Sequence, residues 1–343
     1  FVDALRRLVD GPTPGSHRYM PNAGYAETRT AVAEALAEET GLAYSAEQVM
    51  MCGGAGGGIN VVVHALCERG DEVVICAPYF AEYLFYATNH GAVPVVVSCD
   101  ADFTPDLGEL ESKLTARTRI VLLNSPNNPS GAVYDAGFIA ELGALLERKS
   151  AELGIEIYLV SDEPYRKIIF DGLGYPFPQL AYRRTITVTS HSKDLAIPGE
   201  RIGYVAVHPD SEGGGELMDA FVFCNRVLGF VNAPALMQRA VSGLQRVTVD
   251  VDDYRKKRDY LYGVLTDAGY DVFKPKGAFY MFPASPVPDE MRLVEALQQH
   301  GVLVVPGRGF GLPGYFRISY CVDQAVLEGA APGFAAAFRE LGS

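Results

Sequence analysis

The run Thr185-Ile186-Thr187-Val188-Thr189-Ser190-His191-Ser192-Lys193 is β-branched for five residues and then ends on a polar turn and a lysine. Eight residues beyond that lysine comes Arg201, in Pro198-Gly199-Glu200-Arg201-Ile202-Gly203-Tyr204. β-Branched residues at this density read as a strand, so 185–190 is expected to be one, with the lysine just past its carboxyl end. A lone lysine in a loop is ordinarily a solvated surface residue. At the end of a buried strand its ammonium is desolvated and its pKa falls, which suits an amine that must attack a carbonyl and form a Schiff base.

Similar short runs flank this one. Residues 48–51, 72–77, 93–98, 120–124, 155–161 and 201–207 read as strands, and 28–40, 59–69 and 136–153 carry apolar residues at three- and four-residue spacing, the helical period. That alternation predicts an α/β fold: a three-layer α/β/α large domain built on a mostly parallel mixed sheet. Such a sheet gathers its ligands at the carboxyl ends of its strands. From about residue 233 the pattern becomes one long helical stretch through 265, followed by strand candidates at 270–273, 278–282, 302–305 and 316–320. The expected division is a large domain over 19–245 and a smaller α+β C-terminal domain over 246–343, with 1–18 packing on the latter. The glycine-rich stretch 211–215 reads as a surface turn.

Composition narrows the function. The chain has 343 residues, 48% hydrophobic and 21% charged, with a net charge of −13. A nucleic-acid partner would ask for a basic face, and a membrane span for about 18 or more consecutive apolar residues; neither is present, so small-molecule chemistry is expected. The cysteines at 52, 67, 76, 99, 224 and 321 form no CxxC pair and read as reduced thiols in apolar stretches, without a metal site. No signal-peptide pattern opens the sequence, which favours the cytoplasm, although it begins at Phe1 and not at a methionine.

Other strand ends carry chemistry too. Val160-Ser161-Asp162-Glu163-Pro164-Tyr165 places Asp162 directly after an apolar run, where a carboxylate could pair a pyridinium nitrogen; alone it reads equally as a cap or turn residue. Asn124-Ser125-Pro126-Asn127-Asn128-Pro129-Ser130-Gly131 ends another run, and Asn128 there could donate to a phenolate oxygen. Cys52-Gly53-Gly54-Ala55-Gly56-Gly57-Gly58 follows a strand and opens a helix, where backbone N–H groups and the helix dipole suit a phosphate. No register of it satisfies G-x-G-x-x-G, so a dinucleotide loses its main support and a single phosphate is favoured. Arg317, on the apolar strand Tyr315-Phe316-Arg317-Ile318-Ser319, asks for a buried anion.

Taken in order, from Tyr19-Met20-Pro21-Asn22-Ala23-Gly24-Tyr25 to Phe316-Arg317-Ile318-Ser319-Tyr320, these motifs resemble the class I and II aminotransferases, fold-type I pyridoxal-phosphate enzymes of the aspartate aminotransferase kind. The resemblance implies that Lys193 is the Schiff-base lysine and the acid/base that moves a proton from Cα to the cofactor, that Asp162 pairs the pyridine nitrogen, and that Tyr165 and Asn128 bond its 3′-oxygen. It implies a phosphate held by the backbones of Gly54, Ala55 and Gly56 and the side chains of Ser190, Ser192 and Arg201. Phe80 would stack on the ring, Arg317 would fork the substrate α-carboxylate, and Tyr19 would reach the phosphate of a neighbouring subunit, making the enzyme a homodimer. The implied function is a ping-pong transfer of an amino group between an L-amino acid and a 2-oxo acid.

The sequence departs from the family at His191, where an aromatic is usual, at Asp194, and at the N-terminus, where the family's arm over the substrate would precede the first residues. A titrating His191 beside the cofactor and an inert neighbour are both open readings. Arg226 lies near the place where some relatives supply a cation for a distal carboxylate, and also reads as a structural ion pair. The same cofactor contacts also suit decarboxylation, β/γ-elimination or replacement, or O2-dependent oxidation, because the substrate pocket selects the outcome. A non-catalytic ligand sensor is disfavoured by the presence of both Lys193 and Arg317.

Overall fold

The computed structural model describes residues 1–11 and 14–341. Strands β1 (Val49–Cys52), β2 (Glu72–Cys76), β3 (Val93–Val97), β4 (Thr118–Asn124), β5 (Tyr158–Asp162), β6 (Thr185–Ser190) and β7 (Gly203–Val207) form one sheet in the order β1-β7-β6-β5-β4-β2-β3. All pairings are parallel except those of β7, which runs against both β1 and β6. The helices are α1 (Val2–Asp10), α2 (Ala26–Thr40), α3 (Ala55–Leu66), α4 (Glu82–Asn89), α5 (Leu107–Lys113), α6 (Ala136–Leu153), α7 (His191–Asp194), α8 (Gly214–Val227), α9 (Ala235–Ser242), α10 (Val251–Ala268), α11 (Glu290–Gln299) and α12 (Gln324–Leu341).

Both faces of the sheet are apolar because successive side chains on a strand point to opposite sides. Ile120, Leu122, Tyr158 and Val160 pack with α3, α4 and α8, whereas Val121, Leu123 and Leu159 pack with α5 and α6. At the other end of the sheet Val49, Met51, Tyr204 and Ala206 meet α2 and α9. This is the expected three-layer arrangement. A second core joins α10, α11 and α12 to a small antiparallel sheet, β8 (Tyr280–Met281), β10 (Phe316–Ser319) and β9 (Val305–Pro306), in the order β8-β10-β9. Tyr165, Ile168 and Phe170, from the loop after β5, are built into that second core.

Several local expectations change. The helical stretch 233–265 is two helices, because Gly243 caps α9 and Asp250 restarts the chain by accepting from Asp253 N at 3.1 Å. Residues 270–273 form no strand: Tyr270 turns inward and packs edge-on against Phe316, Phe334 and Phe338. The turn read at 211–215 ends at Gly213, in a left-handed conformation (φ 67°), and Gly214 begins α8. Helix α1, expected on the smaller domain, sends Phe1 and Leu5 into the cluster of α2 and α9.

The antiparallel β7 brings three backbones together. Gly203 is the register partner of both Ser190 and Cys52, and a Cβ there would overlap the Thr189 carbonyl oxygen and lie 3.1 Å from the Cα atoms of Gly54 and Ser190. Gly203→Ala is therefore expected to cost about 1–3 kcal/mol in urea unfolding. Gly199→Ala, where a Cβ meets nothing within 4 Å, should stay within about 0.5 kcal/mol.

Candidate active site

The strands β1, β2, β4, β5 and β6 all point the same way, so Cys52, Cys76, Asn124, Asp162 and Ser190 end along one edge. Above that edge lies a cleft of about 290 Å³ whose walls include Gly56, Phe80, Asp162, Lys193, Arg201 and Arg317. This is where an α/β sheet of this kind collects ligands.

One end of the cleft is built for an anion. Gly54, at φ 85°, turns the chain from β1 into α3, so that the first-turn amides of Ala55, Gly56 and Gly57 precede the first intrahelical bond, Gly58 N to Gly54 O at 3.0 Å. The Arg201 guanidinium faces them, donating to Pro198 O at 2.9 Å and Gly53 O at 3.4 Å. A Cβ on Gly54 would fall 2.9 Å from Arg201 Nη2, so glycine is required by the close approach as well as by φ. Ser190 and Ser192 line the same end.

The floor is Asp162, fully buried, with Tyr83 Oη donating to its Oδ2 and Asn124 Nδ2 donating to its carbonyl oxygen at 3.0 Å. Its Oδ1 has no partner. Burial pushes this carboxyl up to about 7, against the opposing effect of the Tyr83 hydrogen bond. Beside it, Glu163 rises to about 6 through burial, moderated by Arg166.

Lys193 leaves α7 into the cleft, its Nζ 5.5 Å from the Phe279 ring centre and 5.9 Å from that of Tyr165. Burial lowers its pKa, and the nearby Arg317 and Arg201 lower it further. Among the described residues no carboxylate pairs with it. The Tyr165 and Tyr280 hydroxyls lie 3.0 Å apart, and burial holds the Tyr165 phenol well above its usual range.

At the opposite end Arg317 Nη1 donates to Asn128 Oδ1 at 2.9 Å, and its guanidinium lies 4.7 Å from the ring centres of both Tyr280 and Phe310. Asn128 N in turn donates to Asn124 Oδ1 at 2.7 Å, so a polar chain runs from the Asp162 floor to the Arg317 fork. Arg317 Nε is buried without a partner. The cleft thus offers an anion cradle, a buried carboxylate oxygen for a cationic N–H, an amine of lowered basicity and a planar fork for a carboxylate.

Two sequence candidates lie elsewhere. Tyr19, 92% exposed, and Arg226 share a second depression of about 290 Å³ with Asn22 and Asn232. The ion pair considered for Arg226 is not formed among the described residues; its Nη1 donates to Asn22 Oδ1 at 3.2 Å. His191 and Asp194 are buried on the far side of α7 from the cleft, so the histidine ring does not face the site. Sequence reasoning missed Tyr83, Tyr86 and Tyr280, all on the wall of the cleft. Tyr83 had a usable signal, standing three residues after Phe80 on the same turn.

The model for "Aminotransferase class I and II" matches residues 2–333. An aspartate/prephenate aminotransferase of Thermus thermophilus is 33% identical over 348 residues, 97% of this chain and 85% of that protein. The crystal structure of an amino transferase from Eubacterium rectale superposes with a TM-score of 0.97 at 40% identity, covering 100% of this chain and 87% of that one. Aspartate aminotransferase from Thermus thermophilus with maleate superposes at 0.85 with 30% identity over 98% of this chain and 87% of its own. The chain belongs to the class I and II aminotransferases, a family of pyridoxal-phosphate enzymes that move amino groups between amino acids and 2-oxo acids.

Proposed function

We propose that the cleft holds pyridoxal phosphate, with Lys193 Nζ as the amine that takes its aldehyde, and that the chain transfers amino groups from an L-amino acid to a 2-oxo acid. The observation that carries this reading is the pairing of opposites across one cavity: a buried carboxylate oxygen without a partner on Asp162 and an amine without a carboxylate on Lys193. A pyridinium N–H would satisfy the first and an aldehyde would be taken by the second. The amides of Ala55 and Gly56, with Ser190, Ser192 and Arg201, fit the phosphate, whereas the Gly54 amide expected to join them already donates to the Cys52 carbonyl oxygen at 2.9 Å; Phe80 stands where a ring can stack, and Tyr165 and Asn128 where a phenolate oxygen can be bonded. When bound, the cofactor supplies an electron-accepting ring that stabilises the negative charge developing at the substrate Cα.

The residues divide the work. Arg317 fixes the α-carboxylate through its two-pronged guanidinium, held flat between Tyr280 and Phe310. Lys193 Nζ, once the substrate amine had displaced it from the aldehyde carbon, would be a free amine of lowered pKa placed to take the proton from Cα. Phe80 and Tyr86 keep water from the reacting face.

We further infer a homodimer. Phe230 lines a depression with Tyr19, and Phe223 and Val227 are exposed on the helix that carries Arg226, apolar surface that a second copy would cover. In that dimer Tyr19 completes the partner's phosphate site and Arg226 meets a distal carboxylate, as a dicarboxylic substrate would require. The division into lobes at 245/246 is part of the same reading, since the helix-free link between α9 and α10 lies there. A cytoplasmic setting fits the six free cysteines; no helix among the described residues is long and apolar enough to cross a membrane.

Three outcomes are expected. Borohydride reduction of the loaded protein should leave the cofactor on the peptide containing Lys193, and Lys193→Ala should lose at least about 10³-fold in transamination rate; a label on another lysine removes the proposal. Arg226→Ala should reduce kcat/KM for aspartate about tenfold or more while changing that for an apolar amino acid less than about threefold. Equal losses would remove Arg226 from substrate recognition.

The third outcome concerns pH. In the cofactor-free protein the folded Asp162 keeps its proton up to about 7, whereas the unfolded chain releases it near the usual 3.8. Between those values the unfolded state binds fewer protons, so this group's contribution to stability falls as pH rises, by up to about 1.4 kcal/mol per pH unit. Asp162→Asn should flatten that slope in urea titrations of the cofactor-free protein. With the cofactor bound, a cationic ring nitrogen holds Asp162 ionised and the same slope should disappear.

A further inference from the structure

The helix that carries Lys193 has a single turn, too short to be stable by itself, so its orientation depends on what its other side touches. That side holds His191 and Asp194, 2% and 7% exposed. His191 Nδ1 lies 3.2 Å from Asp194 Oδ2, and Lys167 Nζ lies 3.4 Å from the same oxygen. Lys167 Nζ also donates to the Gln245 carbonyl oxygen, and Gln245 Nε2 stands 3.4 Å from His191 Nε2, closing a ring of four residues. Gln245 Nε2 is an amide donor, so His191 Nε2 accepts and its Nδ1–H donates to Asp194. A backbone bond runs alongside, from Val249 N to Asp194 O at 2.7 Å.

Each corner of the ring belongs to a different part of the machinery. His191 and Asp194 lie on α7, next to Lys193. Lys167 is two residues past Tyr165, in the turn that follows Asp162, and Gln245 is in the link between α9 and α10. The charged and titratable groups packed around it are Glu163, Arg166 and Tyr204. His191 and Lys167 hold the Asp194 carboxylate in its ionised form even though burial opposes it.

We propose that this ring makes His191 and Gln245 positioning residues: from outside the cleft they set the angle at which α7 presents Lys193 Nζ, and the place of Tyr165 beside it. The proposal rests on the assignment of Lys193 as the cofactor amine. Its chemistry is indirect, since neither residue touches the cleft, and its effect is geometric: a small misplacement of a reacting group costs rate far out of proportion to any change in binding.

The experiment compares His191→Phe, Gln245→Leu and the conservative His191→Asn, whose side-chain N–H can still donate to Asp194. Cofactor loading is counted by absorbance, and the pH midpoint of the cofactor band, kcat and KM are measured per loaded site. Expected for His191→Phe are a midpoint moved by about half a pH unit or more and kcat down about tenfold, with KM within about twofold. His191→Asn should recover most of both, and Gln245→Leu, which breaks the ring without altering α7, should shift in the same direction. Unchanged midpoint and kcat per loaded site in His191→Phe and Gln245→Leu, whatever happens to Tm, would overturn the proposal; if His191→Phe does not fold, Gln245→Leu decides alone. A wild-type protein that loads no cofactor on Lys193 overturns the underlying assignment, whereas normal wild-type loading with unaltered variants overturns only the ring's role.

Discussion

A carboxyl group enclosed at the end of a central strand is costly, and the active-site edge is arranged around that cost. Asp162 has neighbours on β4 and β6 and is desolvated from every side. Tyr83 compensates part of it through Oδ2, with Asn124 Nδ2 at 3.5 Å from the same oxygen, and the Oδ1 they leave unsatisfied defines what the cleft can accept. Asn124 then passes the constraint on, since its Oδ1 fixes Asn128, which in turn holds Arg317. The anion fork and the floor are thereby placed relative to each other by hydrogen bonds that run from the ends of β4 and β5 through Asn128 to β10.

Most parts of this site that were legible in the sequence share a property, that they follow a strand within a few residues, whereas Arg201 just precedes β7 and Arg317 lies within β10. Lys193 after Ser190, Asp162 at the end of β5, Asn128 after β4 and the glycines after β1 were readable because a parallel sheet sends its carboxyl ends to one edge. Tyr280 was not, because it meets Tyr165 across 115 residues, and although the place of Tyr83 after Phe80 was a readable signal, its contact with Asp162 across 79 residues is one that only the folded chain creates. The strands expected at 278–282 and 302–305 overlap β8 and β9 but are too long for a different reason, since strands of two residues are too short for alternation to show their ends. Helix α8 escaped notice because its two opening residues are glycines, which read as a turn. Directions of side chains were also out of reach: His191 adjoins Lys193 by two residues yet points to the opposite side.

Arginine placement separates the charges by task. Arg201 and Arg317 lie at opposite ends of one cleft, and Arg226 lies outside it beside Tyr19. In a chain of net charge −13, the paired Arg201 and Arg317 make this cleft a place where anionic groups find cations at both ends.

The loop after β5 carries a mechanical consequence. Asp162 ends in the large sheet, and within the next eight residues Tyr165, Ile168 and Phe170 are buried in the core of α10 to α12, with Ile168 and Phe170 sharing backbone hydrogen bonds with Ala278 and Lys276. Melting that second core would strip the loop of its anchors and free the residues adjoining Asp162, so the order of the site's floor depends on a core to which it does not itself belong. The Phe170 amide proton, bound to the Lys276 carbonyl oxygen, would then exchange with solvent only as often as that core opens, making its exchange rate a gauge of how firmly the loop beside Asp162 is anchored.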